Sequence, residues 1–409
     1  MDNEYKKTIE WMIDQLPMYQ QLGKVAFNAG LGNIEKLDKQ LNQPHKQFDS
    51  IHVAGTNGKG STCHMLASIL QEAGYKVGLY TSPHLKDYRE RIRVNGKPIS
   101  EEAVVRFINL NRTFLEENKL SFFEMSVGMA FHYFAENNID IAIVETGLGG
   151  RLDSTNIIQP LLSVITNIGM DHIGVLGNSL EAIAEEKAGI IKKNTPVVIG
   201  EYTKETEPVF QRIGKANNSE IYWVNHDQPL DYTLDLKGYY QKYNARTVVE
   251  VIKALNSLKS KYNITDNIIK NGFRNVVANT GFLGRWQTIN ENPRTICDTA
   301  HNTHALKHVV KQIKSQDYET LHIVIGMVSD KETKDILALL PKQAIYYFCS
   351  PKINRALEAK LLQSLAYEYN LKGKTYKSTK QAYQAAIENS KAGDLIFIGG
   401  SNFVVSEVL

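Results

Sequence analysis

The stretch Gly55-Thr-Asn-Gly58-Lys59-Gly60-Ser61-Thr62 follows directly on the short apolar run 51–54. A strand that breaks into glycines just before a helix presents backbone N–H groups and the positive helix end to an anion, and a lysine there adds a mobile charge. The common phosphate loop reads Gly-x-x-x-x-Gly-Lys-Ser/Thr. Here only Thr56 and Asn57 separate Gly55 from Gly58-Lys59, and Gly60 stands before Ser61. Spacing alone leaves two readings open, a nucleotide loop or a tight glycine connection, and it argues against a standard switch GTPase. Two more strand tips carry polar ligand types. Glu145 closes the run 139–145 ahead of Thr-Gly-Leu-Gly-Gly-Arg, and Asp171-His172 follow Ile165-Thr-Asn-Ile-Gly-Met. Open α/β sheets place their ligand crevice at such tips. Glu145 therefore reads either as a magnesium carboxylate beside the loop or as a solvated strand end; His172, alone, is the weaker signal.

The elements that must position these residues alternate. Strand patterns over 49–54, 76–81, 139–144, 161–166 and 197–200 are separated by helical patterns over 59–73, 123–136 and 179–191. Alternation of this kind predicts a mostly parallel sheet covered on both faces. It starts afresh after Arg285, with strands over 295–298, 321–325, 344–349 and 395–398. The expected fold class is α/β: a P-loop-type, mostly parallel sheet domain over 1–289, then a smaller Rossmann-like α/β domain over 290–409 that opens at the loop Asn-Glu-Asn-Pro.

Length and composition narrow the class. At 409 residues, 43% hydrophobic and 22% charged, the chain has material for two cores. With 47 basic against 44 acidic residues, bulk electrostatics give no reason to expect a nucleic-acid partner. Cys63, Cys297 and Cys349 form an odd set without Cys-x-x-Cys spacing and read as reduced core thiols. The amino terminus opens polar, unlike a signal peptide, and no apolar run approaches the ~20 residues of a membrane span. Cytoplasmic location and no membrane partner are the expectations.

At this point the motifs carry a resemblance. His-Val-Ala-Gly-Thr-Asn-Gly-Lys-Gly-Ser-Thr (52–62), Thr-Ser-Pro-His-Leu (81–85), Arg-Glu-Arg-Ile-Arg-Val-Asn-Gly (89–96), Phe-Glu-Met (123–125), Glu-Thr-Gly-Leu-Gly-Gly-Arg-Leu-Asp (145–153), Thr-Asn-Ile-Gly-Met-Asp-His (166–172), Glu-Lys-Ala-Gly-Ile-Ile-Lys (186–192) and Asp-Thr-Ala-His-Asn (298–302) run over most of the chain. The sequence resembles folylpolyglutamate synthase, often bifunctional with dihydrofolate synthase, in the superfamily of muramyl-peptide ligases. That resemblance implies an ATP-dependent ligase joining the amino group of L-glutamate to a carboxyl of a reduced folate or of dihydropteroate. The expected partners are small molecules, and a monomer is implied.

The resemblance also implies roles. Gly55, Thr56, Asn57, Gly58, Lys59, Gly60, Ser61 and Thr62 cradle ATP, joined by Asn244, Arg285, Asp298 and His301. Ser61 and Glu145 serve one Mg2+, and Ser82, Glu145 and His172 a second. Lys59, His172 and a carbamylated Lys187 form the catalytic set, and Phe123 and Asp153 flank the pterin. In such enzymes ATP sits between domains, and closure shields an acyl phosphate from water. From the residues alone, Phe123 is equally a core ring, and Lys187 a helix-face lysine. Arg89, Arg91 and Arg93 alternate, so that one strand would carry them on one face, either as a seat for an anionic glutamate tail or as a solvated face; Asn95-Gly96 beyond them is a hairpin signal.

Three positions depart from the family pattern: Thr303 and Leu283 where proline is usual, and Ser329 where lysine is common. None is a proposed ligand. A muramyl-peptide ligase proper would carry a nucleotide-sugar domain before the loop, and the loop begins at Gly55. A P-loop switch or motor, or a nucleic-acid-dependent ATPase, is the remaining alternative; the Glu-Lys-Ala-Gly segment and the balanced charge oppose these. Whether dihydropteroate, reduced folate or both accept glutamate is not decided by these motifs, because the same phosphate chemistry serves either.

Overall fold

The computed structural model describes residues 2–16, 30–258, 261–329 and 333–409. The chain forms two compact units, Met1–Asp235 with Gln241–Phe282, and Leu236–Tyr240 with Leu283–Leu409.

Among the described residues of the first unit, eight strands make one sheet: β1 (Asp49–Ala54), β2 (Val77–Tyr80), β3 (Ile92–Val94), β4 (Lys97–Pro98), β5 (Ile141–Glu145), β6 (Leu162–Ile165), β7 (Val197–Ile199) and β8 (Ile221–Trp223). Their order is β4-β3-β2-β5-β1-β6-β7-β8. Pairing is parallel from β2 to β8 and antiparallel only at β2/β3 and β3/β4. The central strands are buried almost throughout and largely apolar, as strands of a parallel sheet covered on both faces are. Register sets the functional edge. Val53 lies opposite Glu145, Ala54 opposite Ile165, and Tyr80 opposite Val144, so the loops that leave β1, β2, β5 and β6 emerge at the same carboxyl edge.

Local chemistry starts the flanking helices. Ser121 accepts from Glu124 N while the Glu124 carboxylate accepts from Ser121 N, a reciprocal capping box ahead of the helix Phe122–Glu136. Ser100 and Ser179, accepting one-way from Ala103 N and Ala182 N, cap the helices Glu101–Glu117 and Leu180–Ala188. The latter stops short of the expected 179–191, because Gly189 turns against Arg151, whose N–H donates to Glu186 O.

The second unit holds β9 (Gln287–Glu291), β10 (Arg294–Cys297), β11 (Leu321–Ile325), β12 (Ala344–Phe348), β13 (Gly373–Thr375) and β14 (Leu395–Gly399). They run in the order β13-β12-β11-β14-β10-β9, parallel except at β9/β10. The loop expected at 290 lies partly in a strand: β9 folds back onto β10 through Asn292-Pro293, and the unit division falls at 282/283, not at 289/290.

The arginine face does not form. Asp87 accepts from Arg89 N and Glu90 reaches back to Asp87 N, a second capping box that winds Tyr88–Arg91 into a 3-10 turn. Arg89 pairs with Asp87 and Glu101, Arg91 Nε donates to His84 Nδ1, and Arg93 Nη1 donates to Gly96 O. The hairpin at Asn95-Gly96 is present, both residues having positive φ between β3 and β4. Cys63, Cys297 and Cys349 are free and buried, and burial pushes each thiol up.

Candidate active site

The phosphate-loop candidate is built by β1 and the helix Lys59–Glu72 behind it. Gly58 stands at the helix N-cap with φ 81 and no capping side chain, so the first N–H groups have no side-chain acceptor there. A Cβ at Gly58 would lie 2.2 Å from Asn244 Oδ1, so only glycine fits. The segment after β6 clamps the loop. Thr56 N donates to Asn167 O, Asn57 N to Asn167 Oδ1, and Thr166 Oγ1 to Asn57 O, at 2.9, 2.9 and 2.6 Å.

Two lysines converge on one carbonyl. Lys59 Nζ donates to Gly55 O at 3.0 Å and Lys187 Nζ donates to the same oxygen at 2.9 Å. Lys187 is 4% exposed. Burial first, then the charge of Lys59, lowers its amine to about 7, against the opposing pull of Asp171 and Asp153. Such an amine is substantially neutral near pH 7, the state that can attack CO2.

Glu145 and Ser82 meet at the edge: Ser82 N donates to Glu145 Oε2 at 3.1 Å, and Glu145 is 4% exposed. A Cβ at Gly60 would lie 3.7 Å from Glu145 Oε2 and 3.8 Å from the Phe282 ring, which places the carboxylate beside the start of the loop helix. Ser61 Oγ accepts from Gln241 Nε2 at 3.2 Å. His172 takes the positive-φ position ahead of the short helix Ile173–Leu176, with Nε2 3.7 Å from Asp171 Oδ1. Among the described residues no three His, Cys, Asp or Glu side chains gather as a metal group. A cation here would rest on one carboxylate with hydroxyl oxygens, a hard donor set that suits magnesium. Two buried hydroxyls at this edge, Thr62 Oγ1 and Thr146 Oγ1, have no hydrogen-bond partner, which fits a loop built around a polar guest.

Phe123 and Asp153 sit on the loop after β5 in different ways. Phe123 is half-buried, and a Cβ at Gly147 would come within 2.4 Å of its ring, so the ring lies directly on the glycine backbone. Asp153 is buried and fully engaged. Its Oδ2 accepts from Gly147 N and Leu148 N, and its Oδ1 from Thr155 N and Oγ1, while His52 Nε2 lies 2.8 Å from Thr155 Oγ1. Burial raises its carboxyl and the four donors oppose that rise. Its contribution is the shape of the 147–150 loop.

In the second unit Asp298 accepts from Tyr240 OH, Trp286 N and Ala300 N at 2.7, 2.8 and 2.8 Å. It thereby orders the backbone directly after Arg285, whose guanidinium donates to Thr299 Oγ1. His301 is exposed, its Nδ1 3.1 Å from Thr299 O. Sequence reasoning missed Thr166, Asn167 and Gln241. The signal for the first two was a polar pair directly after a buried strand, and for Gln241 its place three residues before Asn244.

The comparisons with known proteins follow this geometry. The Mur ligase middle domain matches residues 53–290 and the Mur ligase glutamate ligase domain residues 284–402. The dihydrofolate synthase/folylpolyglutamate synthase of Escherichia coli is 34% identical over 87% of this chain and 85% of its own. The chain belongs to the folylpolyglutamate and dihydrofolate synthase family of Mur ligases. A Haloferax volcanii relative, named a probable bifunctional folylpolyglutamate synthase/dihydropteroate synthase, is 30% identical over 99% of this chain, which spans half the length of that relative. Among solved structures, E. coli FolC in complex with DHPP and ADP matches with TM-score 0.87 at 30% identity, covering 99% of this chain and 96% of the other. The Yersinia pestis bifunctional enzyme complexed with AMPPNP and Mn ion matches with TM-score 0.83 at 26% identity, covering 99% and 97%. Both members of this family hold a nucleotide, and one a divalent metal. No helix among the described residues is long and apolar enough to cross a membrane.

Proposed function

We propose that this chain ligates L-glutamate to a folate with ATP, and to dihydropteroate as well, in the cytoplasm. The observation that carries the reading is the meeting of two lysines on Gly55 O, one of them buried and half-neutral near pH 7, beside Glu145 at the same sheet edge. A carboxylate is a poor acylating agent, so the reaction has two steps. A carboxylate oxygen of the acceptor attacks the γ-phosphorus of ATP and ADP leaves; the glutamate amine then attacks the acyl carbon and phosphate leaves. Three anionic groups must approach one another, and the site answers with charge. Lys59 and the N–H groups at the start of the helix Lys59–Glu72 receive the phosphates, while those of Thr56 and Asn57, held by Asn167, fix the loop around them. Magnesium, at one position served by Ser61 and Glu145 and a second served by Ser82, Glu145 and His172, would neutralise phosphate charge and polarise the γ-phosphoryl group.

Lys187 supports the reading chemically. Its neutral amine adds CO2 to give a carbamate and a proton, and the repulsion from Lys59 becomes attraction. The likeness to the family, not a contact, extends the nucleotide set to Asn244, Arg285, Asp298 and His301, and assigns the domain roles: the first unit for ATP and folate, the second for ATP and glutamate. Phe123 offers its ring to the pterin, and Asp153 shapes the loop beneath it.

Purified protein with Mg-ATP and labelled glutamate, supplied separately with dihydropteroate and with a reduced folate monoglutamate, should yield a product one glutamate heavier from each acceptor by mass spectrometry. ATP hydrolysis with neither acceptor extended would sink the ligase reading.

A further inference from the structure

Gln241 opens the helix Gln241–Ser257 and is completely buried. Its two carboxamide ends are both used. Nε2 donates to Ser61 Oγ at 3.2 Å, and Oε1 accepts from Asn244 Nδ2 at 2.8 Å. Asn244, three residues on and therefore on the same helix face, presses its own Oδ1 against Gly58. An amide can be turned end for end with little change of shape, so what fixes its direction is its neighbours. Here the Asn244 donor takes the oxygen end and leaves the nitrogen end to Ser61.

We propose that Gln241 is a positioning residue for the cation at the phosphate loop, acting through Ser61 by fixing the rotation of its hydroxyl. The inference rests on the ligase reading for the identity of the guest. A hydroxyl has one proton and two lone pairs. With one lone pair held by Gln241, the other lone pair and the proton are all that Ser61 can offer. The amide brings no charge to the site, so its effect falls on orientation and not on the phosphate field. A buried polar side chain with every partner satisfied, where a methionine would fill the same space, is a sign that geometry and not packing is what the position supplies.

The test separates cation from nucleotide. In Gln241→Met, which keeps the volume and loses the donor, Mn2+ affinity of the ADP-loaded protein, titrated by electron paramagnetic resonance, should fall about tenfold, while ADP affinity in EDTA by calorimetry stays within about twofold. The melting temperature should fall modestly, since methionine leaves the buried Ser61 hydroxyl and the buried Asn244 amide without this partner. Gln241→Asn keeps the amide and withdraws it by one methylene; it should show the same selective loss and serves if the methionine variant does not fold. Unchanged Mn2+ affinity in both variants, or equal loss of Mn2+ and metal-free ADP affinity, overturns the inference. Failure of the ligase reading looks different: the wild type would extend neither acceptor while the selective Mn2+ loss in the variants persisted.

Discussion

Two ammonium groups sharing the Gly55 carbonyl is an arrangement with a measurable cost. The Lys187 amine is lowered to about 7 by burial and by Lys59, whereas in the unfolded chain it titrates near ~10.4. Between those values the unfolded state binds more protons than the folded one, so this group makes stability rise with pH across roughly pH 7 to 10. Below pH 7 both states are protonated and the full destabilisation is present. Lys187→Met should therefore raise the melting temperature more at pH 6 than at pH 9, while ligation is lost. In the wild type, activity in CO2-depleted buffer should fall and return with bicarbonate, and the restored rate should climb from pH 6 to pH 8 as the amine loses its proton. A rate indifferent to bicarbonate at both ends of that range rules out the carbamate. Asp298 and Asp153, by contrast, spend their oxygens on backbone N–H groups of their own loops, whose shape they hold.

At the scale of elements, the loop between β1 and its helix depends on one glycine more than on the lysine beside it. Gly58 combines a positive φ with the 2.2 Å approach of Asn244 Oδ1. Alanine there meets both the left-handed backbone cost and the clash, and Gly58→Ala should destabilise by about 1–3 kcal/mol and weaken ADP binding, read by thermal melting and calorimetry; an unaltered affinity would mean that the loop reshapes without loss. The strands were legible because burial on both faces writes them as short, largely apolar runs, as in 51–54, 141–144 and 321–325. The arginine strand was misread because alternation at 89, 91 and 93 outweighed Asp87 and Glu90, whose spacing is a capping signal and curls the backbone before β3 begins. Gln241 was missed for another reason, its place three residues before Asn244 being a weak local sign. Its meaning lies in the 3.2 Å approach to a serine 180 residues away, which no local pattern encodes.

At the scale of the molecule, composition could exclude partners but not name a reaction; the motif set pointed to one, and the part of it that follows β1, β2, β5 and β6 falls on loops that parallel register brings to one edge. Each unit owns its cores. The clusters around Phe131 and Ile165 belong to the first unit, and those around Ile323 and Ile398 to the second. Units with cores of their own should unfold as two transitions, a departure from two-state behaviour expected of multidomain chains. Leu306, 1% exposed on the helix Thr303–Lys314, packs only into the second unit's core. Leu306→Ala removes buried methyl groups and leaves a cavity, a loss of about 2–5 kcal/mol. Scanning calorimetry should show the transition of the second unit moving down while that of the first keeps its midpoint, because the cavity lies in a core of the second unit. A single transition that shifts as a whole would show instead that the two cores melt as one cooperative body, and the units would then have to be treated as one in every stability argument made for the site.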